Sequence, residues 1–163
     1  MKNFKLTLVA VLIGLFSSMN VSAMPIDRSD KNIVQIAVEA GSFKTLETAL
    51  VAADLVGALS APGSLTVFAP TDAAFAKLPA GTVEFLLANV DQLTKILTYH
   101  VIGSEKKPRQ LVSERLIKTL AGSDVRVTLT TGMKLMINDS LVIAKPIYAS
   151  NGVIYVIDTV LIP

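Results

Sequence analysis

The spacing of hydrophobic residues changes between the first and second halves of the chain. Between Ile33 and Val56, and again between Phe75 and Leu97, the apolar residues recur every three or four positions, which is the period of an α-helix with one buried face. Beyond Pro108 the period shortens, and residues 125–129 alternate between apolar and polar, as in a strand with one buried face. Helices followed by mostly antiparallel strands are typical of an α+β fold.

Two short apolar runs predict the strands that lie deepest in the sheet. Residues 65–68 form a short β-branched and aromatic run, and residues 153–157 form a second, unbroken one. We expect the second run to be a central strand buried on both faces. Asn151-Gly152 precedes it and predicts a two-residue hairpin turn, because both residues readily adopt positive φ angles. The strand interrupted by Pro146 should lie at a sheet edge or end there.

Several polar residues flank these runs and have a predicted structural role. The Thr71 hydroxyl can cap a short helix that carries Phe75, and Asp72 would face the positive end of that helix dipole. Thr82 is expected to cap a later helical segment. Asp158 follows the second apolar run, and we expect its carboxylate to accept hydrogen bonds from backbone amides of a neighbouring loop.

The first 23 residues have the pattern of an export signal. Lys2 and Lys5 give a positive start, residues 6–16 are apolar, and Val21-Ser22-Ala23 ends with small residues. A membrane-spanning helix needs about 20 apolar residues, so this run is too short. We expect cleavage after Ala23, a short N-terminal segment at residues 24–31, and one domain at residues 32–163. The product should be a secreted or periplasmic monomer with no remaining membrane span.

Charge and cysteine content exclude several function classes. The chain has 15 Lys and Arg residues against 13 Asp and Glu residues, and loss of Lys2 and Lys5 with the signal makes these numbers equal. A nucleic-acid partner is therefore not expected, since it requires a basic surface. The chain has no cysteine and one histidine, so we expect neither disulfides nor a zinc site. No cofactor-binding motif is present either.

Three segments together resemble the fasciclin domain family. Residues 66–75 (TVFAPTDAAF) look like its first signature and residues 151–163 (NGVIYVIDTVLIP) like its second, with Tyr99-His100 at the position of its Tyr-His pair. The resemblance covers about residues 32–163. It implies a β-wedge or sandwich of about seven mostly antiparallel strands with a helical layer. We expect the signature residues mainly to brace this fold: Thr66, Phe68, Thr71, Asp72, Phe75, Asn151, Gly152, Tyr155 and Asp158.

The resemblance also suggests three partner-contact residues, Tyr99, His100 and Ile147. The Tyr-His pair, in a strand-like segment, is similar to a contact motif of integrin-facing members; alternatively, the imidazole is partly buried and stabilises the helix-to-strand junction. Some animal members carry Glu-Pro-Asp-Ile-Met where this chain has Ala-Lys-Pro-Ile-Tyr at residues 144–148. Ile147 is kept but Pro146 replaces the carboxylate, so integrin recognition through this motif is not expected. Tyr155 replaces the usual histidine of the second signature.

Two functions remain open from the sequence. The resemblance implies an exported contact module for adhesion, matrix or host-associated interaction, whose partner is an unidentified surface protein or glycan. The alternative is a periplasmic carrier of a small molecule or lipid, which would use an apolar cleft between the helical layer and the sheet. An enzyme is not expected, because no nucleophile elbow or phosphate-binding glycine loop is present. Paired carboxylates of the glycosidase type are spatial and stay open.

Overall fold

The computed structural model describes residues 29–163. The predicted signal peptide and residues 24–28 lie outside the described residues. The helices of the described part are α1 Ile33–Ala40, α2 Lys44–Ala52, α3 Val56–Ser60, α4 Asp72–Ala76, α5 Thr82–Ala88, α6 Val90–Tyr99 and α7 Pro108–Glu114. Its strands are β1 Leu65–Pro70, β2 Val101–Ile102, β3 Leu116–Lys118, β4 Asp124–Leu129, β5 Leu135–Ile137, β6 Ser140–Leu141, β7 Ile147–Ala149 and β8 Gly152–Ile157.

The strands form two four-stranded sheets, with orders β2-β1-β8-β7 and β3-β4-β5-β6. All pairings between named strands are antiparallel except that of β1 with β8, which is parallel. The α+β prediction is confirmed. The structure has eight described strands where about seven were expected, because β2 and β6 are short two-residue pairings at sheet edges.

Strands β1 and β8 separate two hydrophobic cores. Val67 and Ile154 lie in a core shared with helices α1 to α6, whereas Phe68 and Tyr155 lie in a second core with the inner face of the other sheet. Every residue of β8 is buried, as predicted for a central strand. The layers are therefore helices, the β1–β8 sheet, and the β4–β5 sheet. Strand β4 alternates between buried and exposed residues, and its buried residues Val125 and Val127 lie in the second core.

Helix α1 begins where polar side chains bond its first backbone N–H groups. Asn32 accepts a hydrogen bond from the Gln35 N–H, and the Gln35 side chain accepts one from the Asn32 N–H, which forms a capping box for α1. Gly41 ends α1 in the left-handed conformation. The prediction for Thr82 was wrong: Gly81 is the N-cap of α5 and Thr82 is the first helical residue.

The β7–β8 hairpin is present, but its turn differs from the predicted one. Ala149 pairs with Gly152, so the two loop residues are Ser150 and Asn151, not Asn151 and Gly152. Asn151 does not have a positive φ angle. Gly152 is required for another reason: a Cβ at this position would collide with the Leu65 carbonyl group of the adjoining parallel strand.

Candidate functional site

His100 joins the end of helix α6 to the C-terminal segment of the chain. Its Nδ1 lies 2.7 Å from the Ile96 carbonyl oxygen, one turn earlier in the helix. Its Nε2 accepts a hydrogen bond of 2.9 Å from the Leu161 N–H. Because one partner must accept and the other must donate, the imidazole is neutral with its proton on Nδ1.

This arrangement leaves the His100 ring without a nitrogen for an external partner. The side chain is buried, and desolvation lowers its pKa to about 4, although the hydrogen bond to Ile96 acts in the opposite direction. The neutral ring therefore dominates at neutral pH. A general base needs a free ring nitrogen within reach of a substrate proton, which this ring does not offer in the folded chain.

Tyr99 is buried beside it but points to the other sheet. Its hydroxyl donates to the Asp124 carbonyl oxygen and accepts a hydrogen bond from the Asn138 amide, each over 3.0 Å. Asn138, at a φ angle of 53°, in turn accepts a hydrogen bond from the Arg126 N–H. The predicted strand-like setting of the pair was wrong, since Tyr99 is the last residue of α6 and His100 is its C-cap. Burial and long-range hydrogen bonding override the β-propensity of this sequence.

Ile147 does not share a site with the Tyr-His pair. One row of paired residues crosses the first sheet from Val101 through Val67 and Ile154 to Ile147. Val101 follows His100 and lies on β2 at one edge, whereas Ile147 lies on β7 at the other. Three strand spacings separate them, or roughly 14 Å. Ile147 is half-buried and packs against the helical core.

An open groove lies directly outside the Tyr-His pair. Its volume is about 540 Å³, and it is lined by Leu116, Asp124, Arg126, Asn138, Asp139, Ser140 and residues 159–162. Tyr99 holds two of its walls, through Asp124 and Asn138, and His100 holds a third, through Leu161. The Ser140 hydroxyl donates to the Thr159 carbonyl oxygen and ties two walls together. We call this depression the C-terminal groove.

The C-terminal groove combines apolar and charged groups. Leu116 and Ile162 are 58% and 60% exposed, so the groove presents two large aliphatic side chains to solvent. Arg126, Asp124 and Asp139 are also exposed and give the groove charges of both signs. Exposed apolar groups bordered by charges are typical of protein-contact surfaces. None of these groove residues was predicted as a site from the sequence, because they come from three distant segments.

Thr66 and Tyr155 fix the loop that leads into helix α7. The Thr66 hydroxyl donates to the Ser104 carbonyl oxygen and accepts from the Lys106 N–H, at 2.7 and 2.8 Å. The Tyr155 hydroxyl donates to the Lys106 carbonyl oxygen over 2.7 Å. Burial, followed by the nearby Tyr148 and Glu105, raises the Tyr155 pKa well above its ordinary value. The Phe68 ring lies 5.9 Å from the Tyr155 ring in the same core.

The residues at the β1–α4 corner link two helices. Thr71 accepts a hydrogen bond from the Ala74 N–H and caps α4, whose Phe75 is buried. The Asp72 carboxylate reaches back to helix α2 and accepts from the N–H groups of Lys44 and Thr45. Desolvation raises the Asp72 pKa, but these bonds and the Lys44 charge outweigh it and lower the pKa. The sequence had suggested only the dipole of its own helix.

Asp158 and Asn151 act in the same bracing manner. Asp158 Oδ1 accepts from the Leu141 N–H at 2.9 Å, and Lys77 lies 3.6 Å from Oδ2. These contacts lower the Asp158 pKa, although desolvation raises it. Asn151 is buried; its amide donates to the carbonyl oxygens of Leu59 and Ala61, and its Oδ1 accepts from the Ile33 N–H. This hub joins α1 and the end of α3 to the β7–β8 turn.

A carrier site, a metal site and a membrane-spanning helix have less support in the described residues. The apolar cavity between the helices and the β1–β8 sheet has a volume of about 20 Å³. A carrier site needs roughly 300 Å³ or more. Residues 29–163 contain no group of three or more His, Asp or Glu side chains that could hold a metal ion. None of the helices in that range has the length and hydropathy to cross a membrane.

The comparisons with known proteins agree with this architecture. The fasciclin domain model matches residues 41–163. The chain is 45% identical over 131 residues to protein sll1735 of Synechocystis sp., covering 80% of this chain and 97% of that protein. It is 41% identical over 101 residues to the cell surface glycolipoprotein MPB83 of Mycobacterium bovis, covering 62% of this chain and 44% of MPB83.

A solved structure shows the same fold. The FAS1 domain pair of the insect cell adhesion molecule Fasciclin I aligns with a TM-score of 0.58 and 16% identity, covering 76% of this chain and 46% of that chain. At this identity the likeness concerns the fold alone. The sequence matches extend over most of the described residues and include both signature segments. The chain belongs to the fasciclin domain family.

Proposed function

We propose that the protein is an extracellular contact module that binds a surface protein or glycan through the C-terminal groove. The observation that carries this proposal is the groove itself, an open depression of about 540 Å³. It has two exposed aliphatic side chains, and its walls are fixed by hydrogen bonds within the chain. A preformed surface of this kind binds without a large ordering cost.

The family relationships support an adhesion-type role outside the cytoplasm. MPB83 is named a cell surface glycolipoprotein, and the structural neighbour comes from a cell adhesion molecule. The predicted export signal is consistent with the same location. A role without catalysis is supported by His100, because both ring nitrogens of the single histidine are bound to backbone groups. The carrier alternative has less support, since the enclosed apolar cavity has room for about one water molecule.

In this proposal the Tyr-His pair has an indirect part. Tyr99 and His100 do not touch the partner; they position the groove walls at Asp124, Asn138 and Leu161. Leu116 and Ile162 make the apolar contact, while Arg126 and Asp139 set the polar specificity at the rim.

The test is crosslinking and capture from the native cell envelope. We compare the wild-type chain with Leu116→Ser/Ile162→Ser, which removes the apolar rim. Val51→Ser/Phe85→Ser is the matched control, because those side chains are 64% and 54% exposed on helices α2 and α5. The proposal expects the same partners with the wild type and the control, and their loss with the groove variant. Equal capture by all three chains would exclude the groove as the contact site.

A further inference from the structure

The loop between β4 and β5 holds a large apolar side chain in a strained and exposed position. Leu129 pairs with Leu135, and the Met133 N–H donates to the Thr130 carbonyl oxygen over 2.8 Å. Met133 has a φ angle of 60°, in the left-handed region, where such hairpin loops usually have Gly or Asn. Its side chain is 80% exposed. Packing gives no reason for a methionine here, so Met133 is a candidate contact residue.

A shallow groove begins at the next residue. It has a volume of about 340 Å³ and is lined by Lys134, Lys145 and the apolar residues at positions 141–144. Ile143, within this run, is 51% exposed. We call Met133, Lys134, Ile143 and Lys145 together the lysine-flanked surface.

The charge of the lysine-flanked surface is of one sign. In residues 29–163 the lysines that form ion pairs are Lys31, Lys77 and Lys106, and neither lysine of this surface is among them. No acidic residue lines the groove. Asp139 lies at the opposite end of strands β5 and β6. The Asp158 carboxylate accepts a hydrogen bond from the N–H of Leu141, which lines the groove, and its second oxygen lies 3.6 Å from Lys77. Two cations therefore border an apolar surface with no compensating carboxylate in its lining.

Two backbone N–H groups of the segment that lines this groove are already bonded within the chain. The Val142 N–H donates to the Leu135 carbonyl oxygen, and the Ile143 N–H donates to the Val156 carbonyl oxygen, both over 2.9 Å. Addition of a partner strand along this segment would need free N–H groups. What the surface offers is apolar area and positive charge, which are the two requirements for a lipid–water interface.

We propose that the lysine-flanked surface docks the protein onto a membrane that contains anionic lipids. Met133 and Ile143 enter the boundary between headgroups and acyl chains, and Lys134 and Lys145 contact lipid phosphates. This inference goes beyond the proposed function and does not depend on it. Lys134 precedes β5 and Asn138 follows it, so the lysine-flanked surface and the C-terminal groove lie at opposite ends of that strand.

The test is flotation of the mature chain, beginning at Met24, with lipid vesicles. One set contains equal parts of phosphatidylcholine and phosphatidylglycerol, and the other contains phosphatidylcholine alone. We expect binding to the anionic vesicles, weakened by added salt. Each of Lys134→Gln and Lys145→Gln should lower the partition coefficient by about fivefold. Met133→Ser should lower it in both low and high salt.

Matched variants separate this surface from the rest of the molecule. Lys95→Gln and Phe85→Ser change an exposed cation and an exposed apolar residue on other elements, and both should float like the wild type. Leu116→Ser/Ile162→Ser should also float like the wild type, which distinguishes a failure here from a failure of the groove proposal. The inference is overturned if anionic vesicles bind no more protein than neutral ones. It is also overturned if Lys134→Gln/Lys145→Gln binds equally well, or if soluble heparin binds the chain while anionic vesicles do not.

Discussion

The backbone N–H of Leu161 donates to Nε2 of His100 over 2.9 Å, across 61 residues of sequence. This bond fastens the C-terminal segment to helix α6 and requires an unprotonated Nε2. Protonation of the ring would replace an acceptor with a donor that faces another donor. The Tyr-His pair of this chain is therefore a structural clasp for the walls of the C-terminal groove.

The first prediction concerns the pH dependence of stability. The pKa of His100 is about 4 in the folded chain and about 6.5 when the ring is exposed, so the unfolded chain binds more protons between these values. The stabilising contribution is complete above pH 6.5 and is lost as pH falls toward 4. The loss amounts to roughly 3 kcal/mol in the free energy of unfolding. Urea denaturation at a series of pH values measures it.

Nuclear magnetic resonance of the single histidine supplies an independent check. The His100 ring signal of the folded chain should remain that of the neutral form with the proton on Nδ1 down to pH 5. A titration midpoint near 6.5 in the folded protein would show that the ring is accessible, and would contradict the clasp. Because the chain has one histidine, the assignment needs no variant.

The second prediction concerns the Tyr99 hydroxyl. Tyr99→Phe removes the donor to the Asp124 carbonyl oxygen and the acceptor for the Asn138 amide. We expect a loss of about 1 kcal/mol in the free energy of unfolding, since the groups left behind lie at a partly wet groove wall. Tyr148→Phe, at a half-exposed position on β7, is the control and should change stability by less than about 0.5 kcal/mol. Equal effects of the two changes would remove the argument for a specific clasp.

The third prediction concerns the buried amide of Asn151. Asn151→Asp places carboxylate oxygens against the carbonyl oxygens of Leu59 and Ala61, where the amide now donates. We expect a loss of about 3 kcal/mol or more, because a buried charge would lack donors on that side. Asn89→Asp is the control: its amide donates to the Phe85 carbonyl oxygen at the surface, where water can replace the bond. Thermal denaturation of both variants at neutral pH compares them.

The sequence predicted local structure better than long-range contacts. Strands β1, β4 and β8 were predicted correctly because burial determines where their apolar residues fall. The spacing of apolar residues along the sequence therefore indicates these strands directly. The turn before β8 was placed one residue late because Asn151 is used for bonds to α1 and α3 instead of for a positive φ angle. Such bonds join residues about 90 or more positions apart and leave no local pattern.

The candidate site was less predictable for the same reason. Tyr99 and His100 were identified by resemblance. Their burial depends on contacts with the second sheet and with Leu161, and the spacing of apolar residues in the sequence does not predict these contacts. The C-terminal groove is formed by β3–β4, the β5–β6 turn and the C-terminal segment together. Ile162 and Leu116 in particular show as exposed only once the sheets are in place.

The fourth prediction concerns Gly152, where the parallel strands β1 and β8 meet. A Cβ added there would collide with the Leu65 carbonyl group, and the φ angle of 158° is one that side chains rarely adopt. The collision and the φ angle both affect backbone that lies between the two cores. Gly152→Ala should therefore lower the free energy of unfolding by at least about 3 kcal/mol. Gly57→Ala is the matched change in helix α3, where an added Cβ meets nothing within 4 Å and alanine favours the helix by up to about 1 kcal/mol. Chemical denaturation should therefore show opposite signs for the two substitutions, and a Gly152→Ala chain as stable as the wild type would mean that β1 and β8 are not in this register.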